Sequence, residues 1–182
     1  MEKKTLIIGG TKGIGQALVD QLNGHDCYTI SRGASNRPNH FALDVLSDDL
    51  PEIEGLTGLV YCPGSINLKP FHRLSREDFL ADYEKNVLGA VRVLQFYFRT
   101  LKKNKGAVVL FGTVASQQGM PFHASIAAAK GGLESLARSL AAEWAPSIRV
   151  NIVNPSLTDT PLAEALLSTE QKRENAAQNE SD

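Results

Sequence analysis

The strongest constraint on this chain is an alternation. Short apolar runs, TLIIG (5–9), CYTIS (27–31), HFALDV (40–45), GLVYC (58–62), AVVLFG (107–112) and IRVNIVN (148–154), are separated by stretches with helical periodicity. Most of the runs are near-continuous in Val, Ile, Leu and Tyr, as expected of strands buried on both faces of a parallel sheet. Helices are predicted from about Ile14, from about Arg76 to Leu101, and over 122–144. In the last of these, Leu133, Leu136, Leu140 and Trp144, with Ala137 and Ala141, fall on one stripe. Ser75 followed by Asp78 reads as a capping box with Asp in place of Glu. Strands alternating with helices in this order predict a doubly wound α/β domain. Between Asp44 and Gly58 the crossover is short and Pro51 interrupts it, leaving little room for a helix.

The 182 residues are 42% hydrophobic and 21% charged, enough for one core, and a single domain is expected over 1–182. Its last stretch, 162–182, is largely polar and cannot cover a core by itself. The net charge of −1 and a pI near 6.4 give no global basic field for nucleic acid or an anionic membrane. The KKNK at 102–105 reads as the solvated end of a helix. Cys27 and Cys62 sit in apolar runs without metal-ligand spacing, so buried, reduced thiols and no metal site are expected. The N-terminus runs straight into a strand, which argues against a signal peptide, and no apolar run is long enough to cross a membrane. A cytoplasmic protein is the expectation.

The sequence GGTKGIG follows the first strand and opens a helix. Gly9, Gly13 and Gly15, with Thr11 and Ile14 between them, permit a tight turn, close approach of a pyrophosphate and close helix–strand packing. The helix N-terminus then offers unpaired N–H groups and the positive end of its dipole. Such glycines also serve purely as a corner; their place after a first strand, within a buried parallel pattern, points to a nucleotide. Lys12 lies in this loop and Arg32 directly follows the second strand, where an NAD-binding fold places an acid for the ribose 2′-hydroxyl. An acid would repel a 2′-phosphate, whereas arginine grips it with paired hydrogen bonds. NADP(H) is therefore expected ahead of NAD(H); otherwise these are two ordinary surface cations.

These motifs resemble the short-chain dehydrogenase/reductase family over Thr5 to Pro161. Its glycine motif TGxxxGxG is met at Gly9, Gly13 and Gly15, with Ile8 at the threonine position. The resemblance implies a Rossmann-type three-layer α/β/α domain, here lacking the family's final strand. It assigns Asp44 and Val45 to the adenine contact, Asn86 to the helix asparagine of the catalytic tetrad, and Thr113 to the catalytic serine position. Lys130 falls on the lysine of YxxxK, but Ile126 occupies the tyrosine position. The family's NNAG is YCPG (61–64), keeping Gly64, and NPSLTDTP (154–161) resembles the segment holding the nicotinamide, through Pro155 and Thr160. Lys130 thus keeps its implied hold on the nicotinamide ribose but has no phenol to tune.

Hydride transfer to a carbonyl leaves an alkoxide that needs a proton. Isoleucine cannot supply it, and Thr113 is too weak an acid, though it can donate a hydrogen bond. His123, one turn before position 126, is a candidate donor; the alternative is a half-exposed histidine at a helix start. His25, His40 and His72 read as surface residues. The replacements at Ile8 and at Tyr61–Cys62 remove two polar groups that are neighbours in the family, a coupled change that leaves neither group orphaned. Two functions follow: an NADP(H)-dependent oxidoreductase of a small carbonyl or alcohol with altered acid chemistry, or a catalytically silent NADP(H)-binding protein acting as sensor or assembly partner. The family pairs its corresponding helices, here 76–101 and 124–145, so a homodimer or tetramer is implied.

Overall fold

In the computed structural model, which describes residues 3–22 and 24–166, the apolar runs become six strands: β1 (Lys3–Ile8), β2 (His25–Ser31), β3 (His40–Ala42), β4 (Leu56–Tyr61), β5 (Ala107–Phe111) and β6 (Arg149–Val153). All pair in parallel, in the order β3-β2-β1-β4-β5-β6. The helices are α1 (Gly13–Gln21), α2 (Arg76–Tyr83), α3 (Gly89–Lys103), the short α4 (Ala115–Gln118) and α5 (Ala124–Trp144). This is the doubly wound, Rossmann-type α/β fold. Leu6, Ile8 and Ile30, with Leu59, Tyr61, Val108 and Leu110 of neighbouring strands, pack against Val93, Leu94, Tyr97 and Leu101 of α3 and Leu133 and Ala137 of α5.

The sheet order reverses at β1, which has β2 on one side and β4 on the other. Chain leaving the carboxyl ends of β1 and β4 therefore diverges and opens a crevice, where such sheets receive ligands. Ile8 and Tyr61 stand directly opposite each other at this point, both fully buried. The two departures from the family pattern are thus neighbours in register, and apolar surface meets apolar surface.

Three expectations need correction. The third strand ends at Ala42, so Asp44 and Val45 lie beyond it. There the Asp44 carboxylate accepts from the Leu46 N–H at 2.9 Å, and the Asp44 N–H donates to Asp48 at 2.8 Å. Side chains that capture local backbone groups turn the chain out of the sheet. The long helix is also not uniform: one π-helical turn, Glu84–Leu88, joins α2 to α3. Finally, Cys27 and Cys62 are free but only partly buried. The expected capping box is present, Ser75 accepting from the Asp78 N–H while Asp78 accepts from the Ser75 N–H. No helix holds the short crossover between β3 and β4. Among the described residues β6 forms a sheet edge, and no helix is long and apolar enough to cross a membrane. Most of the 162–182 tail lies outside the described residues.

Candidate active site

The glycine corner forms at the end of β1. Gly9 and Gly13 adopt left-handed φ values of 78° and 54°. A Cβ on Gly15 would lie 2.3 Å from the Gly9 carbonyl oxygen, so only glycine lets α1 start this close to the strand. Lys12 is the N-cap of α1 and makes no side-chain cap, leaving the first-turn N–H groups, Ile14 among them, uncapped by a side chain. Thr11 Oγ1 donates to Ser31 Oγ at 2.9 Å, tying the corner to the end of β2. Arg32 follows immediately. Lys12 and Arg32 are both exposed and make no ion pair among the described residues, whereas Arg37 is held by Asp20 at 2.6 Å.

The π turn delivers Asn86. Its Nδ2 donates back to the Asp82 carbonyl at 2.7 Å and to Ser65 Oγ at 2.9 Å. Ser65 in turn donates to the Asp82 carboxylate at 2.6 Å, and Asn67 donates to its other oxygen at 3.4 Å. Both Asn86 donor hydrogens are thereby used, and the amide is locked with Oδ1 pointing away. That oxygen is fully buried and has no partner among the described residues. Tyr61 completes the turn from the other side, donating from Oη to the Lys85 carbonyl at 2.7 Å.

Lys130 enters from α5, 7% exposed, and donates from Nζ to the Phe111 carbonyl at 2.6 Å. Burial pulls its ammonium down to about 8, and neighbouring Cys62 opposes this only partly. The same burial pushes the Cys62 thiol up to about 12 against the pull of Lys130. Both Lys130 Nζ and Asn86 Oδ1 lie 3.6 Å from the point a Cβ on Gly64 would occupy. A buried cation and an orphaned acceptor thus converge where β4 leaves the sheet.

Thr113 follows β5. Its Oγ1 accepts from the Ala115 N–H at 3.3 Å, which leaves its own hydrogen free to donate. The Pro155 carbonyl accepts from the Val114 N–H at 3.3 Å and ties the segment after β6 to this turn. That segment then crosses the crevice. Thr160 packs 3.4 Å from the Cβ position of Gly13, and Leu162 reaches 4.0 Å from that of Gly64. Leu162, largely exposed, gives this edge of the site an apolar character.

Ile126 is 6% exposed, buried within the first turn of α5. His123 is the N-cap of that helix, and its Nδ1 donates to the Pro121 carbonyl at 2.7 Å. A carbonyl only accepts, so the proton sits on Nδ1 and Nε2 is left for another partner. The structure brings Gly64, Asn86 and Lys130 together at one point, and Gly13 against Thr160. Asp44 and Val45 lie in the turn beyond β3.

Sequence reasoning passed over several residues. Ser65 and Asp82 have no pattern of their own; the pairing needs the loop after β4 to fold onto α2. His25 and His40, read as surface residues, are half-buried, with Nδ1 bonded to Thr5 and Thr29, each at 2.9 Å. Each histidine stands opposite or beside its threonine on the neighbouring strand, so only the register reveals the pair. Among the described residues no group of His, Cys, Asp and Glu is arranged to hold a metal ion.

Fold and crevice together define a Rossmann-type domain with a glycine corner at the switch point of its sheet. A family model described as enoyl-(acyl carrier protein) reductase matches residues 43–181. The chain is 29% identical over 181 residues to the 3-oxoacyl-(acyl-carrier-protein) reductase MabA of Mycobacterium tuberculosis, covering 91% of this chain and 73% of that protein. It is 31% identical over 201 residues to a tropinone reductase homologue of Arabidopsis thaliana, covering 94% and 74%. The solved structure of ElxO with NADP bound matches with a TM-score of 0.78 at 24% identity, covering 92% of this chain and 79% of that one. The chain belongs to the short-chain dehydrogenase/reductase family.

Proposed function

We propose that this chain is an NADP(H)-dependent oxidoreductase of a small carbonyl or alcohol, working with altered acid chemistry. The observation that carries the reading is the convergence at Gly64 of Lys130 Nζ and Asn86 Oδ1, which has no partner among the described residues, beside a glycine corner flanked by two cations that make no ion pair among them. A buried ammonium and a buried lone acceptor are both costly, and a hydroxyl-bearing ligand relieves both.

In this reading Lys12 and Arg32 hold the 2′-phosphate, and the backbone of Gly9, Thr11, Gly13, Ile14 and Gly15 receives the pyrophosphate. Asp44 and Val45 border the adenine. Gly64 and Lys130 hold the nicotinamide ribose, and Pro155 and Thr160 its ring. Bound NADPH supplies the hydride. Thr113 donates to the substrate oxygen, Asn86 orients the floor of the site, and His123 delivers the proton from Nε2 when doubly protonated. NAD(H) lacks the group that Arg32 would grip, which ranks it second.

A second reading, a silent NADP(H)-binding protein acting as sensor or assembly partner, draws support from Ile126. Its buried side chain stands where the family pattern has a phenol and has no proton to give. Exposed Leu80, Tyr83, Leu88 and Phe96 on the α2–α3 arm support pairing of two copies there and along α5. Two free thiols fit a reducing cytoplasm. Titration with NADPH, followed by NADPH oxidation against a carbonyl panel, tests the proposal. Binding with steady oxidation supports the enzyme; binding without oxidation of any member favours the silent protein; neither overturns both.

A further inference from the structure

The two cationic corners, Lys12 after β1 and Arg32 after β2, are joined through Thr29. Its methyl fills the space beside Gly10, where a Cβ would lie 2.6 Å from Cγ2. Its hydroxyl meets His40 Nδ1 at 2.9 Å, and Thr29 and His40 are register partners in β2 and β3. The other ring nitrogen of His40, Nε2, lies 2.9 Å from the Gly33 carbonyl oxygen. Because a carbonyl only accepts, Nε2 carries a hydrogen and donates to Gly33, while Thr29 Oγ1 holds the other ring nitrogen. Each nitrogen has one partner, and the ring has one orientation.

Gly33 is the residue after Arg32. It is exposed, and none of the described residues lies within 4 Å of its Cβ position. Sheet pairing ends at Ser31, whose carbonyl accepts from the Leu43 N–H at 3.0 Å. Beyond it, a glycine in open space has the widest conformational freedom of any residue. The bond from His40 is therefore the restraint that acts on the Gly33 carbonyl itself, between the Thr11–Ser31 tie before Arg32 and the Arg37–Asp20 pair after it. Fixing a binding group before the ligand arrives removes ordering entropy from the binding step.

We propose that His40 is a specificity-positioning residue: seated on Thr29, its ring holds the Gly33 carbonyl and fixes the Arg32 corner relative to the glycine loop, favouring a ribose 2′-phosphate over a 2′-hydroxyl. The proposal rests on the NADP(H) reading of Arg32. It makes His40 a discriminator that touches neither phosphate nor sugar.

The test is equilibrium binding of NADPH and of NADH to the full chain, read by cofactor fluorescence, for wild type and R32A, H40A, H40N and H40Q. His40→Asn keeps the reach to Thr29 only, whereas His40→Gln restores a donor to Gly33. R32A is expected to collapse the NADPH-to-NADH preference by tenfold or more, about the loss of a charge-assisted pair. H40A and H40N should weaken NADPH about fivefold, the cost of one hydrogen bond, with NADH unchanged as the control for folding. H40Q should lie within about twofold of wild type. If R32A collapses the preference while H40A leaves it intact, or lowers both affinities equally, the positioning role is overturned and the Arg32 reading stands. If R32A leaves the preference unchanged, the Arg32 reading fails and the role of His40 fails with it.

Discussion

Tyr61 donates a 2.7 Å hydrogen bond from Oη to the carbonyl oxygen of Lys85, fastening the end of β4 to the π turn that carries Asn86. A π turn displaces one carbonyl from the regular helical ladder, and a buried carbonyl without a donor is costly. Gly89 leaves room for the phenol: a Cβ there would lie 2.3 Å from Oη. Tyr61→Phe should lower stability by about 1–3 kcal/mol, and Gly89→Ala should also destabilise through the clash. Combined, the two should be less damaging than their sum, because removing Oη removes the contact. Chemical denaturation of the four proteins measures this; strict additivity would contradict the arrangement.

Lys130 gives a signed pH prediction. Its ammonium ordinarily titrates at 10.5 and in the folded chain near 8. Between these values the unfolded chain binds more protons, so stability rises with pH across that window and is poorest below it. The full span amounts to up to about 3 kcal/mol. Lys130→Met should therefore stabilise the cofactor-free protein at pH 7 and flatten its stability profile between pH 8 and 10.5. A parallel profile for the variant in urea melts would contradict it.

Proton delivery separates the candidates near the start of α5. Ile126→Tyr supplies a phenol beside a lysine already in place, and a positioned acid contributes ~10²–10⁴-fold. NADPH oxidation with the best carbonyl of a panel should rise at least ~10-fold in I126Y. His123→Ala should cut the wild-type rate by a similar factor while I126Y/H123A stays active. A folded I126Y with no gain would remove the assignment of position 126.

Assembly is tested on the exposed arm. Leu88 lies on the π turn and is half-exposed. Leu88→Asp should convert a dimer to monomer in sedimentation equilibrium. A wild-type monomer at micromolar concentration would contradict the proposed pairing.

The legible parts of this molecule were those set by local chemistry. The glycine corner, the Ser75–Asp78 cap and the apolar strands each follow from a short stretch read by itself. The π turn was not legible, because Asn86 breaks the ladder by reaching back to the Asp82 carbonyl, and hydrophobic periodicity does not record that reach. Ser65 with Asp82, and His40 with Thr29 and Gly33, depend on which strands and loops become neighbours. The end of β3 at Ala42 was hidden because HFALDV stays apolar past the point where Asp44 turns the chain.

The coupled change at Ile8 and Tyr61 lies between these cases. As a pair of departures it was readable residue by residue, but that they face each other across β1 and β4 needed the register. Side by side in register, the two add buried apolar surface to the core beneath the switch point.

Equilibrium titration of the purified chain with NADPH and NADH tests the central claim most directly. Saturable binding of NADPH in the micromolar range, at least ~10-fold tighter than NADH as a charge-assisted grip on the 2′-phosphate requires, is the expected result. Well-folded protein that leaves NADPH fluorescence unchanged up to millimolar cofactor would contradict it.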